Sequence, residues 1–146
     1  IMNPTYIVLF LLLIVSYIFV LPQKSLNYWW VGIDKHKPLY YFFLISLILT
    51  FLSFIYILYY TSLKKTEGYD LYWLILLLSS ILWSIVVYFG YLKISIIFLG
   101  ITGICAVLMF TSIPKNWDLI TITTAYLAFH TFIMDFIVWG YFALNN

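Results

Sequence analysis

The strongest constraint on this chain is the length of its apolar runs. The stretch "YIVLFLLLIVSYIFVL", residues 6–21, has no polar side chain beyond two tyrosines and a serine. A span of the hydrocarbon core takes roughly 20 predominantly apolar residues. Five such segments follow one another, at about 5–21, 39–63, 71–92, 94–113 and 119–144. Lipid offers no hydrogen bonds, so a spanning backbone must satisfy itself as a helix or a closed barrel. Barrel strands would be shorter and would alternate apolar with polar residues. The pattern predicts an all-α, polytopic integral membrane bundle of about five transmembrane helices. Composition agrees, with 66% hydrophobic and 8% charged residues, against about 25% charged in soluble domains. The 146 residues form one transmembrane domain, 1–146, with no room for a soluble catalytic domain.

The breaks between segments carry the turn chemistry. The first segment ends at Pro22. It has no basic flank before it and no small-residue cleavage site after it, so it reads as a retained span rather than a signal peptide. "PQKSLNYWWVGIDKHK" is the longest polar connection, and Trp29 and Trp30 suit an interfacial belt. Pro38 sits where a first helical turn tolerates proline. "KKTEGYD" is a hydrophilic break with a glycine turn signal. "GYLKIS" separates the third and fourth segments and predicts an antiparallel hairpin. After Pro114, Asp118 is placed to cap the last helix. Loops one and three hold Lys24, Lys35, Lys37 and Lys93, against Lys64, Lys65 and Lys115 in loops two and four. The balance favours a cytoplasmic C-terminus.

Composition also excludes functions. Net charge is +2 with no basic run, which argues against nucleic-acid binding. The single cysteine, Cys105, has no internal disulfide partner and reads as a small core residue. There is no Cys-x-x-Cys, His-Glu-x-x-His, Gly-x-Ser-x-Gly or phosphate loop, and no potassium filter. No enzyme and no metal site are expected. Glu67 with Asp70, and Asp34 with His36 between lysines, read as solvated loop charges. All seven basic residues are lysines, and Phe, Tyr, Ile, Asn and Lys are abundant, which suggests an AT-rich genome. The leading Ile-Met pair reads as a cloning remnant or as a non-standard start codon translated literally, the second of which favours an organelle genome. The host membrane is then organellar, viral-host or bacterial inner membrane.

Small and hydroxylated residues mark helix interfaces in lipid. They recur at helical spacing: Ser46, Thr50 and Ser53; Ser80 and Ser84; Gly100, Thr102, Gly103 and Ala106. In the last segment, at 100° per residue, Thr121, Thr124, Ala128, Thr131 and Asp135 fall within about 40° of one line. That line predicts that Asp135 faces protein. An ionised Asp in mid-membrane costs about 2.5–3.5 kcal/mol on the insertion scale. On the same wheel Tyr126 and His130 point nearly opposite to Asp135, so the acid and the imidazole are not expected to form one site.

Three stretches carry a family resemblance. "YWW…KHKP" (Tyr28 to Pro38), "SILWSIVVYFG" (Ser80 to Gly90) and "AYLAF" (Ala125 to Phe129) resemble the first-loop, third-helix and fifth-helix motifs of the translocator protein / tryptophan-rich sensory protein (TspO) family. The family's Trp-x-Pro-Pro is replaced here by "LYYF", its third-helix Asn by Ser80, and its fifth-helix Pro and Trp by Ala125 and Phe129. The resemblance implies five helices and a pocket for a porphyrin or sterol-like lipophile. Tyr28, Trp29, Trp30, Trp83, Tyr126 and Phe129 would line it. Three readings follow: a non-enzymatic lipophile-binding bundle; a structural or assembly subunit of a homo-oligomer or larger membrane complex; and a proton or ion pathway through Asp135, with Thr124, Thr131 and His130 as further intramembrane polar groups.

Overall fold

The computed structural model describes residues 4–20, 32–63, 69–113 and 117–145. Helix α1 is Pro4–Val15, continued by a π-helical turn at Ser16–Val20. A short 3-10 turn, Ile33–Lys35, leads into α2, Lys37–Leu63. α3 is Tyr69–Tyr88 and α4 is Leu92–Ser112. The last span, α5, runs over Leu119–Leu144. It is α-helical over Leu119–Ala128, π-helical over Phe129–Trp139 and α-helical again over Gly140–Leu144. The helices α2 to α5 are long and apolar enough to cross a membrane, and α1 is a shorter apolar helix. At 1.5 Å per residue, the 21 residues of α4 reach about 31 Å, the thickness of a hydrocarbon core. The chain is a multi-pass, all-α integral membrane protein.

Local chemistry sets the element ends. Asp118 caps α5: its carboxylate accepts from the Thr121 amide at 3.2 Å and from the Thr121 hydroxyl at 2.9 Å. Gly90, at φ 84°, ends α3 four residues earlier than the apolar run suggests. The Tyr91 amide donates to the Val86 carbonyl at 3.1 Å and the Gly90 amide to Val87 at 2.9 Å. This pair of bonds is a Schellman closure, which needs a left-handed residue after the helix. The apolar pattern runs through the turn, so it could not reveal the stop.

The five helices close into a ring. α3 packs along α4, α4 against α5, and α5 against α2. α1 completes it, touching α3 and meeting α2 through Phe10–Phe54 and Tyr17–Phe51 ring contacts. Outward positions such as Ile45, Ile48, Leu52, Ile55 and Tyr59 are exposed at i, i+3, i+4 spacing, the face a membrane solvates. Inside the ring, two apolar clusters occupy the ends. One gathers Leu13, Ile57, Trp73, Leu76, Met109 and Leu127. The other gathers Ile33, Phe43, Trp83, Val87, Met134 and Trp139. Between them lies a polar layer of buried Ser46, Thr50, Ser80, Thr102, His130 and Thr131.

Gly103 lets α4 reach the backbone of α5. A Cβ there would sit 3.0 Å from the Phe132 Cα and 3.2 Å from the Thr131 carbonyl oxygen. At Gly100 a Cβ would meet only the edge of the Phe136 ring, at 3.0 Å. A ring can swing; a helix backbone cannot. Gly103→Ala should therefore cost about 1–3 kcal/mol from overpacking. Gly100→Ala should be near neutral, because the gain in helix propensity, about 0.5–1 kcal/mol, offsets the ring shift. Thermal denaturation of both variants in one detergent checks the order.

Candidate functional site

The polar layer is organised around His130, which is 1% exposed. Its Nδ1 lies 2.7 Å from the Ser46 hydroxyl of α2. The Tyr126 hydroxyl, one turn before it on α5, donates to the same Ser46 oxygen at 2.9 Å. On the other side of the ring, His130 Nε2 lies 3.3 Å from Asp135 Oδ1. That nitrogen has no hydrogen-bond partner in line, although the carboxylate is within ion-pair range. Phe43 closes the imidazole from the side, edge-on at 5.7 Å between ring centres.

This corrects the helical-wheel expectation. On an α-helix, residues five apart point about 140° away from each other. The segment Phe129–Trp139 is π-helical, and the Gly140 amide reaches back to the Asp135 carbonyl. A ladder of i→i+5 bonds widens the turn and stacks residues five apart on one face. His130 and Asp135 are five apart and therefore form one site. The sequence signal was that spacing, read at the wrong period. The stripe itself holds for its hydroxyls: Thr121, Thr124 and Thr131 are all buried, while the Asp135 side chain is 24% exposed.

Counting hydrogens gives the tautomer. Thr50, Ser53, Ser80 and Thr131 each donate back to the carbonyl four residues earlier in their own helix. Among the described residues Ser46 makes no such bond, and its hydroxyl meets Tyr126 and His130. Its oxygen accepts from Tyr126, and with no carbonyl taking its own proton, that proton goes to His130 Nδ1. The imidazole then carries its hydrogen on Nε2, facing the Asp135 carboxylate.

A small cavity opens beside this pair. Tyr17 of α1, Thr50 of α2, Ser80 of α3, Thr102 of α4 and both His130 and Asp135 of α5 line it. About 20 Å³ is open to the centres of water molecules. Tyr17 bonds to the Ser80 side chain and lies within electrostatic reach of Asp135. Thr102 ties α4 to Ser79 of α3 at 2.6 Å. Tyr17 lies in the π-turn of α1 and His130 in that of α5. Both π segments of the described chain thus meet at the cavity, and such segments concentrate at functional sites.

Of the aromatic residues expected to line a lipophile pocket, the three that are described lie in two places. Tyr28, Trp29 and Trp30 lie outside the described residues. Trp83 stacks edge-on between Tyr17 and Trp139 in the apolar cluster at one end. Tyr126 and Phe129 have ring centres 6.0 Å apart and face an outer groove with Phe110 and Trp117. Thr124 and Thr131 bond back to Ile120 and Leu127. Ser46, Thr50, Ser80 and Thr102, legible in the sequence as interface residues, prove to be the site's polar partners. Tyr17 carried no signal beyond being a tyrosine in an apolar run. Among the described residues, no three His, Cys, Asp or Glu side chains come together as a metal set.

No family model matches the chain, and no curated protein or solved structure does either.

Ser46 should be the most sensitive hydroxyl in the bundle. Ser46→Ala strips a partner from both Tyr126 and His130 and should cost about 1–3 kcal/mol. Tyr126→Phe removes one donor and should cost less, on the order of 0.6 kcal/mol. Equal losses in a reversible unfolding assay in mixed micelles would contradict the shared role of Ser46.

Proposed function

We propose that this protein handles protons inside the membrane, with His130 and Asp135 as the proton-binding pair. The observation that carries the reading is the line Tyr126–Ser46–His130–Asp135, hydrogen-bonded at 2.9 and 2.7 Å and completed by the 3.3 Å approach of Nε2 to the carboxylate. Every member can give up or take a proton, and His is the side chain suited to do so near neutral pH. A proton moves along the line by one-place shifts. Tyr126 gives its hydrogen to Ser46, Ser46 gives its own to Nδ1, and Nε2 gives its hydrogen to Asp135. The imidazole stays neutral and changes tautomer, while a proton entering at Tyr126 restores that hydroxyl. Ionisable residues within spans are costly to place, and their usual use is such a pathway.

The test is proton flux into liposomes. The wild type should dissipate an imposed gradient. Asp135→Asn, which cannot ionise, should lower the rate about a hundredfold, the scale of one positioned acid–base group. Equal flux in both proteins, or none in either, removes the reading.

One observation favours a second reading, lipophile binding. A groove of about 330 Å³ lies between α2 and α5, lined by Leu49, Leu52, Ser53, Tyr56, Ile122 and Tyr126 among others. Small-molecule sites start at about 300 Å³, and the interior cavity is far below that size. A porphyrin or sterol would therefore bind on the bundle's flank rather than in its centre. Leu52→Trp fills this groove and reports on it. Titration of a porphyrin should quench tryptophan emission of the wild type and lose that effect on the filled variant.

A further inference from the structure

We infer that the cavity enclosed by the five helices is a binding site for a single water molecule, which joins His130 to Asp135. The inference deepens the proton-handling reading and rests on it for its purpose, but its geometry stands alone.

Three observations select the guest. The first is size. About 20 Å³ is open to water centres, and one water needs about 10–15 Å³ by that measure. The second is an unmet donor. His130 lines the cavity and is 1% exposed, and its Nε2, 3.3 Å from the Asp135 carboxylate that also lines it, has no hydrogen-bond partner. A buried polar group left so is costly, and ordered water is its common remedy. The third is the polarity of the remaining wall. Thr50 spends its proton on the Ser46 carbonyl and Ser80 on the Leu76 carbonyl. Thr102 has the Phe98 carbonyl or Ser79 for its proton. These hydroxyls therefore present lone pairs to the cavity, as does the Asp135 carboxylate.

The guest must accept one hydrogen bond, from Nε2–H, and donate the others. Water does both. An anion would face a carboxylate and lone pairs. A bare cation would face the imidazole N–H. With water in place, the 3.3 Å approach of Nε2 to Oδ1 needs no direct bond. Water takes the Nε2 hydrogen and gives one of its own to Asp135, so the relay is complete and no atom is left over. The Tyr17–Ser80 pair, within reach of the same carboxylate, provides a further acceptor on the opposite wall.

The experiment uses the full chain in lipid bilayers, labelled with 15N-histidine. The chain holds two histidines, so His36→Gln at the exposed loop position leaves His130 alone. Water-edited solid-state NMR then asks whether magnetisation passes from water to His130 Nε2. Transfer to a protonated Nε2 is expected. Ser80→Val places extra methyl volume in the cavity and should abolish the transfer while Nδ1 keeps its bond to Ser46. Thr50→Val, which keeps the shape and removes one acceptor, should weaken it. Absence of transfer in the parent, or transfer unchanged in both variants, overturns the water site. A signal that appears only with added sodium or ammonium overturns it in favour of a cation. Transfer without liposome proton flux supports the water site and defeats the relay. Flux without transfer defeats the water site alone.

Discussion

The π-helical register of α5 is the feature on which the polar interior depends. It alone brings His130 and Asp135 to one face. An α-helix over the same residues would turn the carboxylate about 140° away from the imidazole, leaving a buried N–H on one side and an unaccompanied acid on the other. Each would be costly where lipid supplies no hydrogen bonds. Gly103 supports the arrangement by letting α4 come to within contact of the α5 backbone at Thr131 and Phe132, inside the π stretch.

The same absence of hydrogen bonds from lipid explains the other hydroxyls. Most bend back to their own helix, as Thr50, Ser53, Ser80, Thr102 and Thr131 do. Ser46 does not, and it is the residue that links α2 to α5. Apolar clusters above and below this layer keep its surroundings at low dielectric, where each polar contact is stronger and each unmet one costlier. A site built this way holds its hydroxyls in place and sets one imidazole–carboxylate pair, His130 and Asp135, among them.

Much of this architecture was legible in the sequence. Run length fixed helices over strands, and the Asp118 cap and the α5 bounds followed from residue type. The hydroxyl positions on α2, α3 and α4 were readable as inward faces, because a 3.6-residue period holds there. The site itself was misread because that period was carried into Phe129–Trp139, where no Pro or Gly announces a change of helix type. The break at "GYLKIS" was legible, but α3 closes at its first residue, Gly90, rather than at 92, because apolar side chains continue through a turn that backbone bonds define. The expected aromatic pocket rested on a motif resemblance carried largely by aromatic residues, and ring position cannot be read from such matches in a chain that is 23% aromatic.

A double-mutant cycle across His130 and Asp135 tests the central pairing most directly. His130→Ala, Asp135→Asn and the double variant are unfolded reversibly under one set of conditions, and their stabilities compared. Groups in contact couple by about 0.5–3 kcal/mol, and a coupling in that range is predicted here. Effects that add to within about 0.3–0.5 kcal/mol would place the two side chains on separate faces, as an α-helix would, and contradict the account.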